Sequence, residues 1–152
     1  MTTPTALIAE DEPLLAEGLK ADLQVLWPEL QVVAVVGDGP AAVTQALAWS
    51  PDVLFLDVRM PGITGIEAAA ELAEEWPDGR PLPLVVFVTA YDEYALRAFD
   101  LAAVDYVLKP VRPDRLGQAC ERLRAALAAR REASGLHPPA ELDATLAQLR
   151  RL

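Results

Sequence analysis

Five side chains suited to phosphate or metal chemistry stand directly after short apolar runs. Glu10 and Asp11 follow Ala6-Leu7-Ile8-Ala9, Asp57 follows Asp52-Val53-Leu54-Phe55-Leu56, Thr89 follows Leu84-Val85-Val86-Phe87-Val88, and Lys109 follows Val104-Asp105-Tyr106-Val107-Leu108. Carboxylates gathered in one cleft raise one another's pKa, and a hard divalent cation relieves that repulsion. Mg²⁺ suits such a place, since it takes octahedral oxygen ligands, keeps several waters and uses one or two carboxylates plus phosphate oxygens. A carboxylate there can attack phosphorus, while a hydroxyl and an ammonium group contact the transferred phosphoryl oxygens. Each residue alone has a plainer reading. Acids are favoured at helix N-termini, an acid after a strand can cap the next turn, and most lysines are surface residues. Four strand ends carrying acid, acid, hydroxyl and lysine together point to chemistry.

The elements that must position these groups are legible in the apolar pattern. A fifth run, Val32-Val33-Ala34-Val35-Val36, completes the set. The runs are too short for buried helices and lack strict polar alternation, as expected of strands covered on both faces in a parallel sheet. Between them, Leu14, Leu15, Leu19, Leu23 and Leu26 fall near one helical face, with Pro13 in the first turn. Pro40 opens a second helix, Gly65 to Trp76 reads as a third, Glu93 to Leu101 as a fourth, and Pro113 to about Ala133 as a fifth. In the fifth, Leu116, Cys120, Leu123 and Leu127 make an inward stripe, so Cys120 reads as core. Strand and helix alternating five times predict a doubly wound α/β sandwich. Ligands bind such sheets beyond the carboxyl ends of the strands, where the winding reverses. The domain is expected over residues 1–133. Ser134-Gly135-Leu136-His137-Pro138-Pro139 then reads as a linker, and Leu142, Leu146 and Leu149 predict a C-terminal amphipathic helix within 134–152.

Composition narrows the function. With 152 residues, 53% of them hydrophobic, the chain can build one well-buried domain. A formal charge of −10, from 23 acids against 13 Lys and Arg, argues against nucleic-acid binding by this chain itself. No apolar run approaches the ~18 residues that span a bilayer, and residues 1–5 lack the features of a secretory signal. A single cysteine builds no disulfide framework, so the cytoplasm is the expected location.

The segments Ile8-Ala9-Glu10-Asp11-Glu12-Pro13, Leu56-Asp57-Val58-Arg59-Met60-Pro61-Gly62, Val88-Thr89-Ala90 and Asp105-Tyr106-Val107-Leu108-Lys109-Pro110 resemble the receiver domain of two-component response regulators, over roughly residues 4–130. The resemblance implies a flavodoxin-like five-stranded sheet in the order 2-1-3-4-5 with five helices. It implies that Asp57 is the phosphoacceptor. It further implies that Mg²⁺ is held by Glu10, Asp11, Asp57 and the backbone carbonyl of Arg59, with Glu10 binding directly or through water. Thr89 and Tyr106 match the switch hydroxyl and the aromatic that moves with it. Lys109 matches the site lysine, with a cis bond to Pro110. Arg59 and Tyr91 occupy positions that, in the family, help set the lifetime of the acyl phosphate. The implied partner is a sensor histidine kinase, and the implied role is regulatory, with phosphotransfer and slow autodephosphorylation as its own chemistry.

Further segments, Asp11-Glu12-Pro13-Leu14, Thr89-Ala90-Tyr91-Asp92-Glu93-Tyr94-Ala95, Ala98-Phe99 and Asp105-Tyr106-Val107-Leu108-Lys109-Pro110-Val111, are similar to receivers joined to LytTR-type DNA-binding domains. That likeness implies an output domain absent from these residues, through which DNA would be bound. A homodimer is expected through the fourth helix, fifth strand and fifth helix, with Arg97 and Phe99 as candidates for that face, or through the C-terminal helix. No membrane association is expected.

Four rival readings are weaker. A haloacid-dehalogenase-type phosphatase needs a second acid two residues after its nucleophile, where this chain has Arg59. An FMN carrier needs a phosphate-cradling loop after the first strand, where Glu10-Asp11-Glu12 would repel the ligand. A stand-alone receiver acting by protein–protein contact differs only in output, and a metal-free pseudo-receiver is disfavoured by the intact acid, hydroxyl and lysine set. His137 sits in the Pro-rich linker without a second ligand in its sequence neighbourhood.

Overall fold

Strands and helices alternate along the chain in a computed structural model that describes residues 3–134. The order is β1 (Thr5–Ala9), α1 (Pro13–Leu26), β2 (Gln31–Val36), α2 (Gly39–Trp49), β3 (Val53–Leu56), α3 (Gly65–Glu75), β4 (Leu84–Thr89), α4 (Ala95–Asp100), β5 (Asp105–Leu108) and α5 (Pro113–Ser134). The sheet is parallel with strand order β2-β1-β3-β4-β5, as the resemblance implied. The expected linker and C-terminal helix, with Leu142, Leu146, Leu149 and His137, lie outside the described residues.

Both faces of the sheet are covered, which explains the unbroken apolar runs. On one face Ile8, Phe55, Val86 and Val107 pack against Leu19 and Leu23 of α1 and Leu116, Cys120 and Leu123 of α5. On the other, Leu7, Leu54, Leu56 and Phe87 meet Ala42 and Ala46 of α2, Ala68 and Leu72 of α3, and Ala98 of α4. Each large side chain so buried contributes about 1.5–3 kcal/mol. Central strand β3 is buried at all four positions. A strand with no wet face cannot slip its register without disrupting both layers.

Two expectations need correction. Leu14 and Leu15 do not share the buried stripe of α1: Leu14 is 83% exposed and Leu15 43%. The first turn of α1 follows directly on the end of β1, so it rises at the rim of the sheet. There Leu14 and Leu15 line a hollow of about 540 Å³ with Val88, Ala90, Lys109 and Pro110. The fourth helix is also shorter than Glu93–Leu101. Ala95 N donates to Asp92 O at 3.2 Å, which closes a turn before the helix, and Ala102 adopts φ 59°, a left-handed conformation that stops it.

Candidate functional site

The sheet's hydrogen-bond ladder runs slightly past its strands and holds the chemical residues in register. Glu10 N donates to Val36 O, Asp57 N to Ala9 O and Lys109 N to Thr89 O, each at 2.9 Å. Side chains at the ends of four different strands are thereby fixed by backbone pairing to one another. The loop after β3 is pinned from the other side by α3. Thr64 caps that helix reciprocally with Glu67, each bond 3.0 Å, and Gly65 N donates to Val58 O at 2.7 Å. Gly65 stands so close to the Asp57 carbonyl oxygen that a Cβ there would collide with it. The helix cap is therefore Thr64, and the Asp57 carboxylate is left for other work.

The three acids converge. One ligand oxygen from each of Glu10, Asp11 and Asp57 lies within 4.8 Å of the other two, with Glu10 and Asp57 buried and Asp11 exposed. Lys109 Nζ lies 2.7 Å from Asp57 Oδ2 and pairs also with Glu10 Oε1. Glu10 Oε2 accepts from Glu12 N at 3.1 Å. Among the described residues, Asp57 Oδ1 is the buried side-chain atom without a hydrogen-bond partner.

Electrostatics follow from this packing. Burial pushes the Glu10 carboxyl above its usual range, against the hydrogen bond from Lys109, and the nearby Asp57 charge adds to the rise. Burial by itself lowers the Lys109 pKa, but its bonds to Asp57 and Glu10 prevail and hold it above the usual lysine value. The lysine therefore stays charged.

Thr89 and Tyr106 form a second group, centred on Tyr91. Thr89 is fully buried, and its Oγ1 accepts from Tyr91 N at 3.4 Å. The Tyr106 hydroxyl donates to the Tyr91 carbonyl oxygen, and its ring packs on Phe87 with centroids 6.2 Å apart. The peptide bond between Lys109 and Pro110 is cis, as expected.

Sequence reasoning singled out Arg59 for its backbone and its bulk, and it missed what the side chain touches. The guanidinium stacks over the Tyr91 ring, 4.4 Å from its centroid, and donates to Tyr94 Oη at 3.3 Å. Also missed was Asp105, buried on edge strand β5. It takes two bonds from Arg115 and pairs with Arg122, both on α5. A buried acid within an apolar run followed by arginines at helical spacing was the available signal.

Comparison with known proteins agrees with this fold. The family model described as response regulator receiver domain matches residues 6–121. An uncharacterised response regulatory protein of Vibrio cholerae is 44% identical over 149 residues, covering 98% of this chain and 55% of that protein. The transcriptional regulatory protein BtsR of Salmonella typhimurium is 41% identical over 118 residues, covering 78% of this chain and 47% of that protein. The chain thus spans about half the length of these relatives. Among solved structures, the REC domain of AraT, a response regulator from Geobacillus stearothermophilus, superposes with a TM-score of 0.76 at 32% identity, covering 86% of this chain and 99% of that one. The response regulatory domain of MrkE from Klebsiella pneumoniae gives 0.73 at 29%, covering 80% and 96%. Family match and strand order agree, and the chain belongs to the response regulator receiver domain family.

Proposed function

We propose that Asp57 accepts a phosphoryl group from a sensor histidine kinase, at a site that takes Mg²⁺ through Glu10, Asp11, Asp57 and the Arg59 carbonyl. The observation that carries this reading is the Asp57 carboxylate itself, with one oxygen held by Lys109 and the other buried and unpartnered. Three acids facing one lysine leave an excess of negative charge, which fits a hard cation with oxygen ligands. Bound there, Mg²⁺ would neutralise phosphate oxygens and bring the donor to the acids.

The chain's own residues supply the rest. An Asp57 carboxylate oxygen forms the new bond to phosphorus as the phosphorus–nitrogen bond of a phosphohistidine breaks, its electron pair returning to the imidazole. Lys109 stays protonated and contacts the transferred group. Thr89 contributes a hydroxyl hydrogen bond once it leaves Tyr91 N, and Tyr106 follows because Tyr91 joins the two. A population shift in α4, β5 and α5 carries the signal outward. Leu96, Phe99 and Leu108, exposed by 83%, 80% and 45%, give that face the apolar surface a homodimer would cover. Slow autodephosphorylation would return Asp57 to its free state.

The output is proposed to be transcription control through a LytTR-type DNA-binding domain in the full-length regulator, acting in the cytoplasm. The LytTR-like segments and the transcriptional relatives support this. The receiver unit is assigned to residues 1–133.

Titration with beryllofluoride tests the site. In Mg²⁺ the wild type is expected to bind it and shift the amide spectrum at Thr89 and Tyr106. Binding by Asp57→Ala, or no binding by the wild type, removes the proposal.

A further inference from the structure

Tyr91 joins three separate parts of the molecule. Its backbone N–H is bonded to Thr89 Oγ1 at 3.4 Å, its carbonyl accepts the Tyr106 hydroxyl, and its ring lies beneath the Arg59 guanidinium at 4.4 Å. The stack extends further. Tyr94 packs edge-on against Tyr91, with centroids 6.5 Å apart at 85°, and receives the Arg59 hydrogen bond on its hydroxyl. Glu93 Oε1 lies 4.0 Å from Arg59 Nη2. One side chain from the loop after β3 therefore meets three residues of the loop after β4, Tyr91, Glu93 and Tyr94.

The geometry points to Arg59 as a positioning residue that holds Tyr106 in place through Tyr91, before any phosphoryl group is present. The hydrogen bond, ion pair and ring contacts of Arg59 go to Tyr94, Glu93 and Tyr91, not to Thr89 or Tyr106. Its planar guanidinium lies on a ring whose own backbone takes the bonds of both, so fixing the ring orients the carbonyl and the N–H. A bulky residue at this position would shield phosphorus merely by its size. A clamp on Tyr91 does something different, because it sets the conformational equilibrium of Tyr106. Arginine suits the task, and lysine would not replace it, since an ammonium cannot stack as a plane or reach the ring and the Tyr94 hydroxyl together. This inference rests on Tyr106 belonging to the switch, and its test does not need phosphorylation.

The full chain carrying 3-fluorotyrosine gives resonances for Tyr91, Tyr94 and Tyr106, and Tyr106→Phe assigns the last. Spectra are taken without Mg²⁺ and without a phosphodonor. Arg59→Ala is expected to move the Tyr106 resonance toward the free fluorotyrosine position, corresponding to a change of roughly two- to five-fold in its population ratio. Arg59→Lys is expected to recover little of it. Tyr91→Leu, which keeps the backbone groups and loses the ring, should reproduce the Arg59→Ala shift, and the double variant should add nothing. Circular dichroism checks that each variant is folded. An unchanged Tyr106 resonance in folded Arg59→Ala overturns the inference, even if the acyl phosphate lifetime changes, because that pattern is simple shielding. Failure of Asp57 to take a phosphoryl group would instead strike the proposed phosphoacceptor role and leave the spectra unaffected.

Discussion

Lys109 Nζ lies 2.7 Å from Asp57 Oδ2, while Oδ1 of the same carboxylate is buried without a hydrogen-bond partner among the described residues. The lysine thus steadies the acid without consuming it. It does the same for Glu10, so removing it leaves two buried acids without their shared counter-charge. Lys109→Met is expected to lower stability by about 3 kcal/mol, as for other broken buried pairs. Asp57→Asn in the same chain should restore part of the loss. Urea unfolding near neutral pH measures both, and an unchanged midpoint in Lys109→Met would show that the pair is not stabilising.

Divalent cations should stabilise the fold through the same cluster. At about ten times its dissociation constant, Mg²⁺ adds about 1.4 kcal/mol, or about 3–6 °C in Tm. Asp57→Asn and Asp11→Asn should each abolish most of this rise in a thermal melt, and EDTA should reverse it in the wild type. A rise that survives both substitutions would place the ion elsewhere.

Asp105 gives a distinct acid-stability signature. Burial tends to raise its pKa, but the bonds from Arg115 and the Tyr106 N–H, with the charges of Arg115 and Arg122, outweigh burial and lower it. A carboxyl lowered on folding contributes stability that is complete above its unfolded pKa of about 3.9 and is lost as pH falls through the lower folded value. Asp105→Asn should therefore be less stable than wild type at neutral pH and lose less on acidification below about pH 4. Urea midpoints between about pH 5 and 3 read this directly, and parallel curves for the two proteins would contradict it.

The approach of α3 to the acceptor loop can be tested without touching an acid. A Cβ at Gly65 meets the Asp57 carbonyl oxygen, and Val58 Cα at 3.3 Å. Gly65→Ala is expected to cost about 1–3 kcal/mol and to slow phosphorylation of Asp57 by displacing its backbone. Thr64→Ala, which removes only the cap, should cost about 1 kcal/mol and leave phosphorylation near normal. Equal phosphorylation rates for Gly65→Ala and wild type would show that the contact does not position Asp57.

The fold was legible because each strand announces itself as a short apolar run, and β3 needs apolar residues on both faces. The acids were legible because parallel strands end together, so residues 46 positions apart in the chain, Asp11 and Asp57, come to one rim. Periodicity misled at Leu14 and Leu15, since it reports which face a residue occupies and not whether a sheet lies beneath that turn. The Arg59–Tyr91 stack was hidden for another reason. Two loops from different strands make it, and no local pattern encodes which exposed side chains meet across them.

Phosphorylation at Asp57 is the claim on which the rest depends, and peptide mass spectrometry reads it directly. After exposure to acetyl phosphate in Mg²⁺, borohydride converts an aspartyl phosphate to homoserine and marks its position. The expected result is one modified residue, Asp57, absent without Mg²⁺ and absent in Asp57→Ala. Homoserine at another position in the wild type, or none at all under conditions where a known receiver is modified, would contradict the assignment.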